Sequence, residues 1–215
     1  MEIVLPEGAR KDFSIKEAYG FGWQTTWANL GFLVGFTVLM GIIQYLPSFI
    51  PQSVQQQNPI LSFVITIISW VISTITGIGY LKIGLRIANG EKGELSDLYS
   101  QWPLFLRFVC VSLLSGLAVI GGCLLLIIPG IILAIRLQFA PYLLIDKNTG
   151  IRESLNKSWK MTKGVTLKLM AFGLVGCLII LAGFLCLIVG LLVAAPVTLL
   201  ASVYVYKKIV SVSGV

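Results

Sequence analysis

The chain has 215 residues, of which 57% are hydrophobic and only 12% are charged. Because a soluble domain carries about 25% charged residues, this composition excludes a soluble globular protein and indicates one polytopic membrane domain. The net charge is +7 and histidine is absent, which removes the commonest general base and the commonest metal ligand. The sequence has no phosphate-binding loop, nucleophile–base pair or nucleic-acid-binding motif. We therefore predict no enzyme activity, no cofactor, no metal and no nucleic-acid partner.

Charged residues are absent from three long stretches of the chain, 18–81, 108–135 and 169–206. A transmembrane helix needs about 20 apolar residues, so we predict two spans in each stretch. In chain order, the six predicted spans cover about residues 28–46, 60–81, 103–122, 129–146, 167–185 and 191–206. The connections near 121–130 and 185–191 are almost wholly apolar, which fits either tight hairpins or turns that stop short of the outer surface.

Apart from Arg136, lysine and arginine are confined to the chain ends and to alternate connections between these spans. They lie within 10–16, 82–107, 147–168 and 207–208, whereas the connections near 47–59, 121–130 and 185–191 have none. Cytoplasmic loops carry the excess of basic residues, so we predict a multi-pass protein of the cytoplasmic membrane with both termini in the cytoplasm. This basic face suits anionic lipid headgroups as partners.

A charged segment from Ile151 to Gly164 interrupts the apolar second half of the chain. At 3.6 residues per turn, one helical face carries Ile151, Leu155, Ser158 and Thr162, and another carries Arg152, Asn156, Lys160 and Lys163. This pattern is typical of a basic amphipathic helix at a membrane surface, although an ordinary solvated helix remains an alternative. The predicted membrane-interface residues of this segment are Arg152, Lys157, Trp159, Lys160 and Lys163.

An internal repeat relates this segment to the start of the chain. Residues 15–23 match residues 151–159 in register, and residues 95–102 form a weaker, shorter copy. Each copy precedes two predicted spans, which indicates three units at about 14–93, 94–149 and 150–210. We therefore predict an all-α integral membrane protein of three parallel hairpin repeats, each preceded by an amphipathic cytoplasmic helix.

The copies share an acidic residue and a tryptophan. The acids, Glu17, Asp97 and Glu153, fit helix-start positions, where a carboxylate caps the backbone and suits the helix dipole. This interpretation is preferred over acid–base catalysis. The tryptophans, Trp23, Trp102 and Trp159, are predicted to anchor the chain at the membrane interface, where indole is enriched.

Arg136 lies inside the predicted fourth span, where an arginine costs about 2.5 to 3.5 kcal/mol on insertion scales. Such a residue is a candidate functional site, and Gln138 and Pro141 lie nearby. We therefore name Arg136 and Gln138 as candidate ligand-binding residues. The alternative is an arginine that snorkels to the cytoplasmic face or bonds to neighbouring carbonyls.

Two patterns predict helix packing within the membrane. The second span has hydroxyl side chains on one face at Ser62, Thr66, Ser69, Ser73 and Thr76. Small polar residues let helices approach and form hydrogen bonds, so a packing seam is preferred over a polar path across the bilayer. The first span carries Gly31 and Gly35 in a Gly-x-x-x-Gly motif, which we expect to pack within the six-helix body.

The run from Pro129 to Arg136, Tyr142 to Asp146, and the segment Glu153 to Gly164 together resemble a group of bacterial and archaeal integral membrane proteins of unknown function. These are the YciC-like proteins and the membrane domain fused to some glycerophosphoryl diester phosphodiesterases. The resemblance implies a six-helix membrane domain in a prokaryotic cytoplasmic membrane. It brings no catalytic residues, and the chain has no phosphodiesterase domain.

Three functions remain open at this point. The first is a non-enzymatic protein of membrane or lipid homeostasis, whose basic helices engage anionic lipid or a partner protein. The second is a permease or lipid transporter that uses Arg136. The third is a membrane anchor for a separate enzyme.

Overall fold

The computed structural model describes residues 13–45, 58–97 and 101–213, and every regular element within them is helical. The helices in chain order are α1 (Ile15–Ala28), α2 (Leu30–Tyr45), α3 (Pro59–Ala88), α4 (Phe105–Leu125), α5 (Ile127–Leu137), α6 (Ala140–Lys147), α7 (Ile151–Thr162), α8 (Thr166–Leu185) and α9 (Leu187–Ser213). A single 3-10 turn, Trp102–Leu104, precedes α4. The predicted all-α class is confirmed, whereas residues 47–57 of the predicted first connection and part of the weaker repeat copy at 95–102 lie outside the described residues.

Five segments of the described chain are long and apolar enough to cross a membrane: Pro59–Ala88, Trp102–Leu125, Ile127–Lys147, Thr166–Leu185 and Gly190–Ser213. A sixth is reached when α1 and α2, which are bent by 92°, count as one span. By itself α2 has 16 residues and a length of about 24 Å, which is shorter than the roughly 30 Å hydrocarbon core. The first predicted span, 28–46, is therefore a short helix after a sharp bend.

Both apolar connections are tight hairpins with a single residue between the helices. In the α4–α5 hairpin, the N–H of Leu126 donates to the carbonyl of Gly122 at 3.0 Å. A Cβ at Gly122 would lie 2.9 Å from the Cα of Gly130, and a Cβ at Gly183 would lie 2.9 Å from the carbonyl oxygen of Gly190 in the α8–α9 hairpin. Facing glycines thus let the two helices of each hairpin meet backbone to backbone.

The predicted fourth span consists of two helices, because α5 ends at Leu137 and α6 begins at Ala140. Pro141 lies in the first turn of α6, where its missing N–H removes no helical hydrogen bond. Asn148 ends α6 with a left-handed φ of 49°, a conformation that asparagine tolerates better than most residues. Its side-chain oxygen accepts a hydrogen bond from Arg107 at 3.2 Å, which ties α6 to the start of α4.

The core is built around α9, which contacts α1, α2, α3, α7 and α8. Tyr206 is its largest fully buried side chain, and the Tyr206 hydroxyl donates to Asp146 at 2.9 Å. Leu143 of α6, Met161 of α7 and Leu169 of α8 are buried in the same cluster. The charged C-terminal end of α6 is therefore held against α9, close to α7.

The helices α1 and α7 bury matching positions of their matching sequences. In α1 these are Ala18, Gly22, Thr25 and Thr26, and in α7 they are Ser154, Ser158, Met161 and Thr162, each 136 residues after its counterpart. Thr26 donates to the carbonyl of Gly22 at 2.7 Å, and Thr162 donates to that of Ser158 at 2.8 Å. The sequence repeat is thus accompanied by equal burial and an equal hydrogen bond in both helices.

Of the two packing patterns predicted for the first two spans, the structure supports the hydroxyl face in part and does not support the Gly-x-x-x-Gly motif. On α3, Thr76 is buried and the other four hydroxyl side chains are half-buried or exposed, and Gln44 of α2 donates to Ser73 at 3.1 Å. The hydroxyl face of α3 therefore contacts α2 at Ser73 and is buried at Thr76, and its other three positions are half-buried or exposed. The expectation for Gly31 and Gly35 is wrong, because a Cβ at either position would have no atom within 4 Å.

Candidate functional site

The start of α7 is fixed by its acidic residue. Glu153 accepts a hydrogen bond from the backbone N–H of Gly150 at 3.4 Å and an ion pair from Lys157 at 2.8 Å. These two donors, with Lys157 first, hold the pKa of the Glu153 carboxyl below its ordinary value. Glu153 is therefore a helix cap, as its position in the repeat predicts.

The other two repeated acids also lie at chain turns or helix starts. Ser14 accepts a hydrogen bond from the N–H of Glu17 at 3.3 Å, while the Glu17 carboxylate binds Lys208 at 3.2 Å. The N–H of Glu94 donates to the Asp97 carboxylate at 3.2 Å. Because each carboxylate is committed to a local backbone group or a cation, the acid–base interpretation finds no support here.

The buried face of α7 is joined to the end of α5 through polar groups. The Ser158 hydroxyl donates to the carbonyl oxygen of Arg136 at 2.7 Å, and the Thr162 hydroxyl approaches the same oxygen at 3.4 Å. This carbonyl lies one residue before the end of α5, where helical carbonyls need partners from outside the helix. Ser158 and Thr162, on the packed face of α7, therefore supply hydroxyl groups to a carbonyl oxygen at the end of α5.

The side chain of Arg136 lies on Trp159. The guanidinium carbon is 4.3 Å from the centre of the indole ring, a cation–π contact. The Arg136 Nε atom is buried and has no hydrogen-bond partner, while Trp159 is 37% exposed. The helix α7 thus supplies both a backbone anchor and an aromatic platform to Arg136.

None of the acidic residues that the structure describes neutralises Arg136. Arg86 binds Glu91, Glu94 and Asp97, Lys208 binds Glu17, Tyr206 binds Asp146, and Lys157 binds Glu153. A guanidinium remains charged at any physiological pH. Within residues 13–45, 58–97 and 101–213, the counter-charge of Arg136 is therefore not a protein carboxylate.

The basic face of α7 points away from the helices beneath it. Arg152, Lys160 and Lys163 are exposed, as is Asn156 between them, so the structure groups these predicted interface residues on one face. Lys157 differs, because it is half-buried and paired with Glu153. The exposed face therefore presents three cations along one side of α7, beside the Arg136–Trp159 pair.

The remaining predicted site residues lie apart from this group. Gln138 is exposed at the C-terminal cap of α5, and residues two apart on a helix do not share a face, so it is not joined to Arg136. Trp23 is 53% exposed and packs edge-on against Trp27 at 5.6 Å. Trp102 is 59% exposed and stacks on Phe105 at 5.7 Å. Both tryptophans are exposed to the surroundings of the protein, as an interface anchor must be.

Sequence reasoning missed a charge cluster at the end of α3. Arg86 binds Asp97 with one nitrogen at 2.8 Å, Glu91 at 2.9 Å and Glu94 at 3.5 Å. Asp97 is only 5% exposed, so this cluster fixes the turn that follows α3. The signal in the sequence is three acids within eleven residues of one arginine, and their convergence depends on the turn at Gly90, where φ is 82°.

Comparison with known proteins places the chain among membrane proteins. It is 31% identical over 91 residues to a UPF0259 membrane protein of Pectobacterium carotovorum, which covers 42% of this chain and 36% of that protein. It is 31% identical over 131 residues to an uncharacterised protein of Mycobacterium bovis, which covers 61% of this chain and 40% of that protein. The chain is thus similar to one bacterial membrane protein and to one uncharacterised bacterial protein.

The chain spans 36% and 40% of the lengths of these two curated relatives. No family model matches it, and no solved structure resembles it significantly. Neither of these two relatives is named as an enzyme, and one of them is named as a membrane protein. The narrower resemblance to YciC-like proteins and phosphodiesterase membrane domains stays a prediction.

Proposed function

We propose that this is a non-enzymatic, multi-pass protein of a prokaryotic cytoplasmic membrane that binds anionic phospholipid headgroups and acts in membrane lipid homeostasis. The observation that carries the proposal is the Arg136 guanidinium, which is stacked on Trp159 and has no carboxylate partner among the described residues. A planar guanidinium matches the oxygens of a phosphate in pairs. The exposed Arg152, Lys160 and Lys163 add about 1 kcal/mol each near an anionic surface.

The position of α7 supports a headgroup site rather than a site in the hydrocarbon. Ser158 and Trp159 hold α7 against Arg136, and Lys160 follows them directly and is exposed. Exposed lysine and arginine side chains are costly in hydrocarbon, so the basic face of α7 lies in the headgroup region. Arg136 then extends to the same level and meets lipid phosphates there.

The placement of charged helix ends supports a common cytoplasmic side. Glu17 near the start of α1 binds Lys208 near the end of α9 at 3.2 Å. Arg107 near the start of α4 donates to Asn148 at the end of α6 at 3.2 Å. The Tyr206–Asp146 hydrogen bond joins these two pairs, so the four helix ends lie together. By the positive-inside rule, this supports a cytoplasmic location for both ends of the membrane domain.

The contacts of the repeated helices support three parallel units arranged in a ring. The helix α1 of the first unit packs on the α8–α9 hairpin of the third, and α7 of the third packs on α5 of the second. The second unit reaches the first, because Asp97 binds Arg86 and Phe105 contacts Trp70 at 6.2 Å. Each unit thus contacts the hairpin of the preceding unit, with the first unit contacting that of the third. A pseudo-threefold arrangement requires such contacts.

The test is lipid binding by the full chain in a nonionic detergent. Native mass spectrometry would follow titration with phosphatidylglycerol and with phosphatidylcholine, and we expect several-fold tighter binding of phosphatidylglycerol. Arg136→Leu should remove most of this preference. The matched control is Lys92→Leu, which removes an exposed cation from the turn after α3 and should retain it. Equal losses in the two variants would reduce the site to nonspecific positive charge and contradict the proposal.

A permease for an anionic or amphipathic solute is the second candidate. It is favoured by the location of Arg136 inside Ile127–Lys147, a segment long and apolar enough to span a membrane, because charged residues there often mark substrate pathways. Flux in proteoliposomes that is lost in Arg136→Leu and retained in Lys163→Leu would support this function over headgroup binding.

A further inference from the structure

A cavity of about 510 Å³ lies between α1 and the α8–α9 hairpin. Trp23 and Trp27 line it from α1, Ala182 lines it from α8, and Val193 and Val197 line it from α9. All its lining side chains are apolar or aromatic apart from the hydroxyl of a tyrosine and the thiol of a cysteine. Its size and lining are those of a small-molecule pocket, which typically has 300 to 1,000 Å³ and a mostly hydrophobic wall.

The place of this cavity in the fold corresponds to that of Arg136 beside α7. In α7 the small residue Ser158 meets the carbonyl of Arg136, and the next residue is Trp159. In α1 the matching residue is Gly22, where a Cβ would lie 2.5 Å from the carbonyl oxygen of Val197, and the next residue is Trp23. Val197 thus occupies the position in the α1 site that Arg136 occupies in the α7 site. Trp23 therefore lies beside an apolar cavity, whereas Trp159 lies beside a guanidinium.

We propose that this cavity holds one acyl chain of a membrane phospholipid. Both helices of its hairpin belong to segments that are long and apolar enough to cross a membrane, and the solvent around such segments is lipid, which is as apolar as leucine. An uncharged lining favours a hydrocarbon occupant over a headgroup or an ion. Lys16 lies on the same face of α1, two turns before Trp23, and is exposed, so it is placed to meet the headgroup of the bound lipid.

This site is separate from Arg136 and stands without it. The first measurement uses the wild-type full chain in bilayers that contain a phospholipid with a diazirine in its acyl chain. After irradiation, peptide mapping should find several-fold more label at Ala182 and Val193 than at Leu174 and Leu178, which are exposed on α8 outside the cavity. Equal labelling of all exposed apolar positions would overturn the proposal.

The second measurement fills the cavity. Ala182→Phe adds a ring to its wall and should lower labelling at Val193 several-fold. Ala171→Phe is the matched control, because Ala171 is exposed on the same helix and does not line the cavity, and it should leave the labelling unchanged. Unchanged labelling in folded Ala182→Phe would also overturn the proposal, whereas the preference for phosphatidylglycerol at Arg136 should persist in both variants.

Discussion

At the scale of single residues, the candidate site consists of Arg136 on α5 and of Ser158 and Trp159 on α7. Ser158 binds the backbone of Arg136 at 2.7 Å, and Trp159 supports its side chain at 4.3 Å. The sequence predicts Arg136 as a costly residue and Trp159 as an interface residue, because each follows from local composition. It does not predict their contact, since that depends on how α7 folds back across the end of α5.

Removing the Ser158 hydroxyl should weaken the attachment of α7. Ser158→Ala loses a buried hydrogen bond to the Arg136 carbonyl, and we expect the free energy of unfolding to fall by about 1 kcal/mol. Titration of the detergent-solubilised protein with a denaturing detergent measures this change. Asn156→Ala, on the exposed face of α7, should have little effect. An equal change in both variants would show that the bond does not hold α7.

The pH dependence of stability should reveal the cap at Glu153. Its folded-state pKa is lowered, mainly by Lys157 and then by the N–H of Gly150, so its contribution is present above the unfolded pKa and is lost as pH falls through the folded value. Wild type should therefore have a higher Tm than Glu153→Gln at pH 7, and the difference should vanish as pH falls below 4.5, the ordinary pKa of the carboxyl. A difference that stays constant down to pH 3 would contradict the capping role.

At the scale of elements, the helices are predictable and the turns between them are less so. Long uncharged runs and 3.6-residue periodicity locate most spans and the buried side of α7, because both signals come from local sequence. The hairpin turn at Leu126 has no polar residue to mark it. Its position follows from the facing glycines, Gly122 and Gly130, whose proximity is a tertiary contact. The ion-pair cluster around Arg86 also depends on contacts between residues that are apart in the chain, so the sequence does not predict it either.

Adjacent glycines in α4 offer a matched test of the hairpin. A Cβ at Gly122 would lie 2.9 Å from the backbone of Gly130, whereas a Cβ at Gly121 would have nothing within 4 Å. Gly122→Ala should therefore lower the free energy of unfolding by about 1 to 3 kcal/mol through overpacking. Gly121→Ala should be neutral or raise it by up to roughly 1 kcal/mol, since alanine favours helix. Denaturing-detergent titration of both variants decides the point, and equal results would contradict the close turn.

At the scale of the whole molecule, charge segregation predicts that both ends of the membrane domain lie on one side of the membrane. The contact between those ends supports this prediction. The ion pair of Glu17 with Lys208 joins helix ends that lie 191 residues apart in the chain. Composition predicts the five apolar segments that are long enough to span a membrane, but it does not predict the 92° bend between α1 and α2, on which the sixth depends. Nothing in the apolar run from 30 to 45 signals that bend.

Topology can be tested with two single-cysteine variants on a background that lacks the four native cysteines. Asn156→Cys on α7 should react with a membrane-impermeant maleimide only in inverted vesicles, because the basic face is predicted to be cytoplasmic. Gln56→Cys, in the predicted outer connection at 47–59, should react only in intact cells or right-side-out vesicles. Labelling of both from the same side would contradict the assignment of the termini to the cytoplasm.

The most direct test of headgroup binding is lipid selectivity in a bilayer. Spin-labelled phosphatidylglycerol and phosphatidylcholine would be compared in membranes that contain wild type, Arg136→Leu or Lys92→Leu. Electron paramagnetic resonance measures the fraction of each lipid immobilised on the protein. We predict that wild type and Lys92→Leu immobilise more phosphatidylglycerol than phosphatidylcholine, and that Arg136→Leu loses most of this difference. An unchanged preference in folded Arg136→Leu would contradict a headgroup site at Arg136.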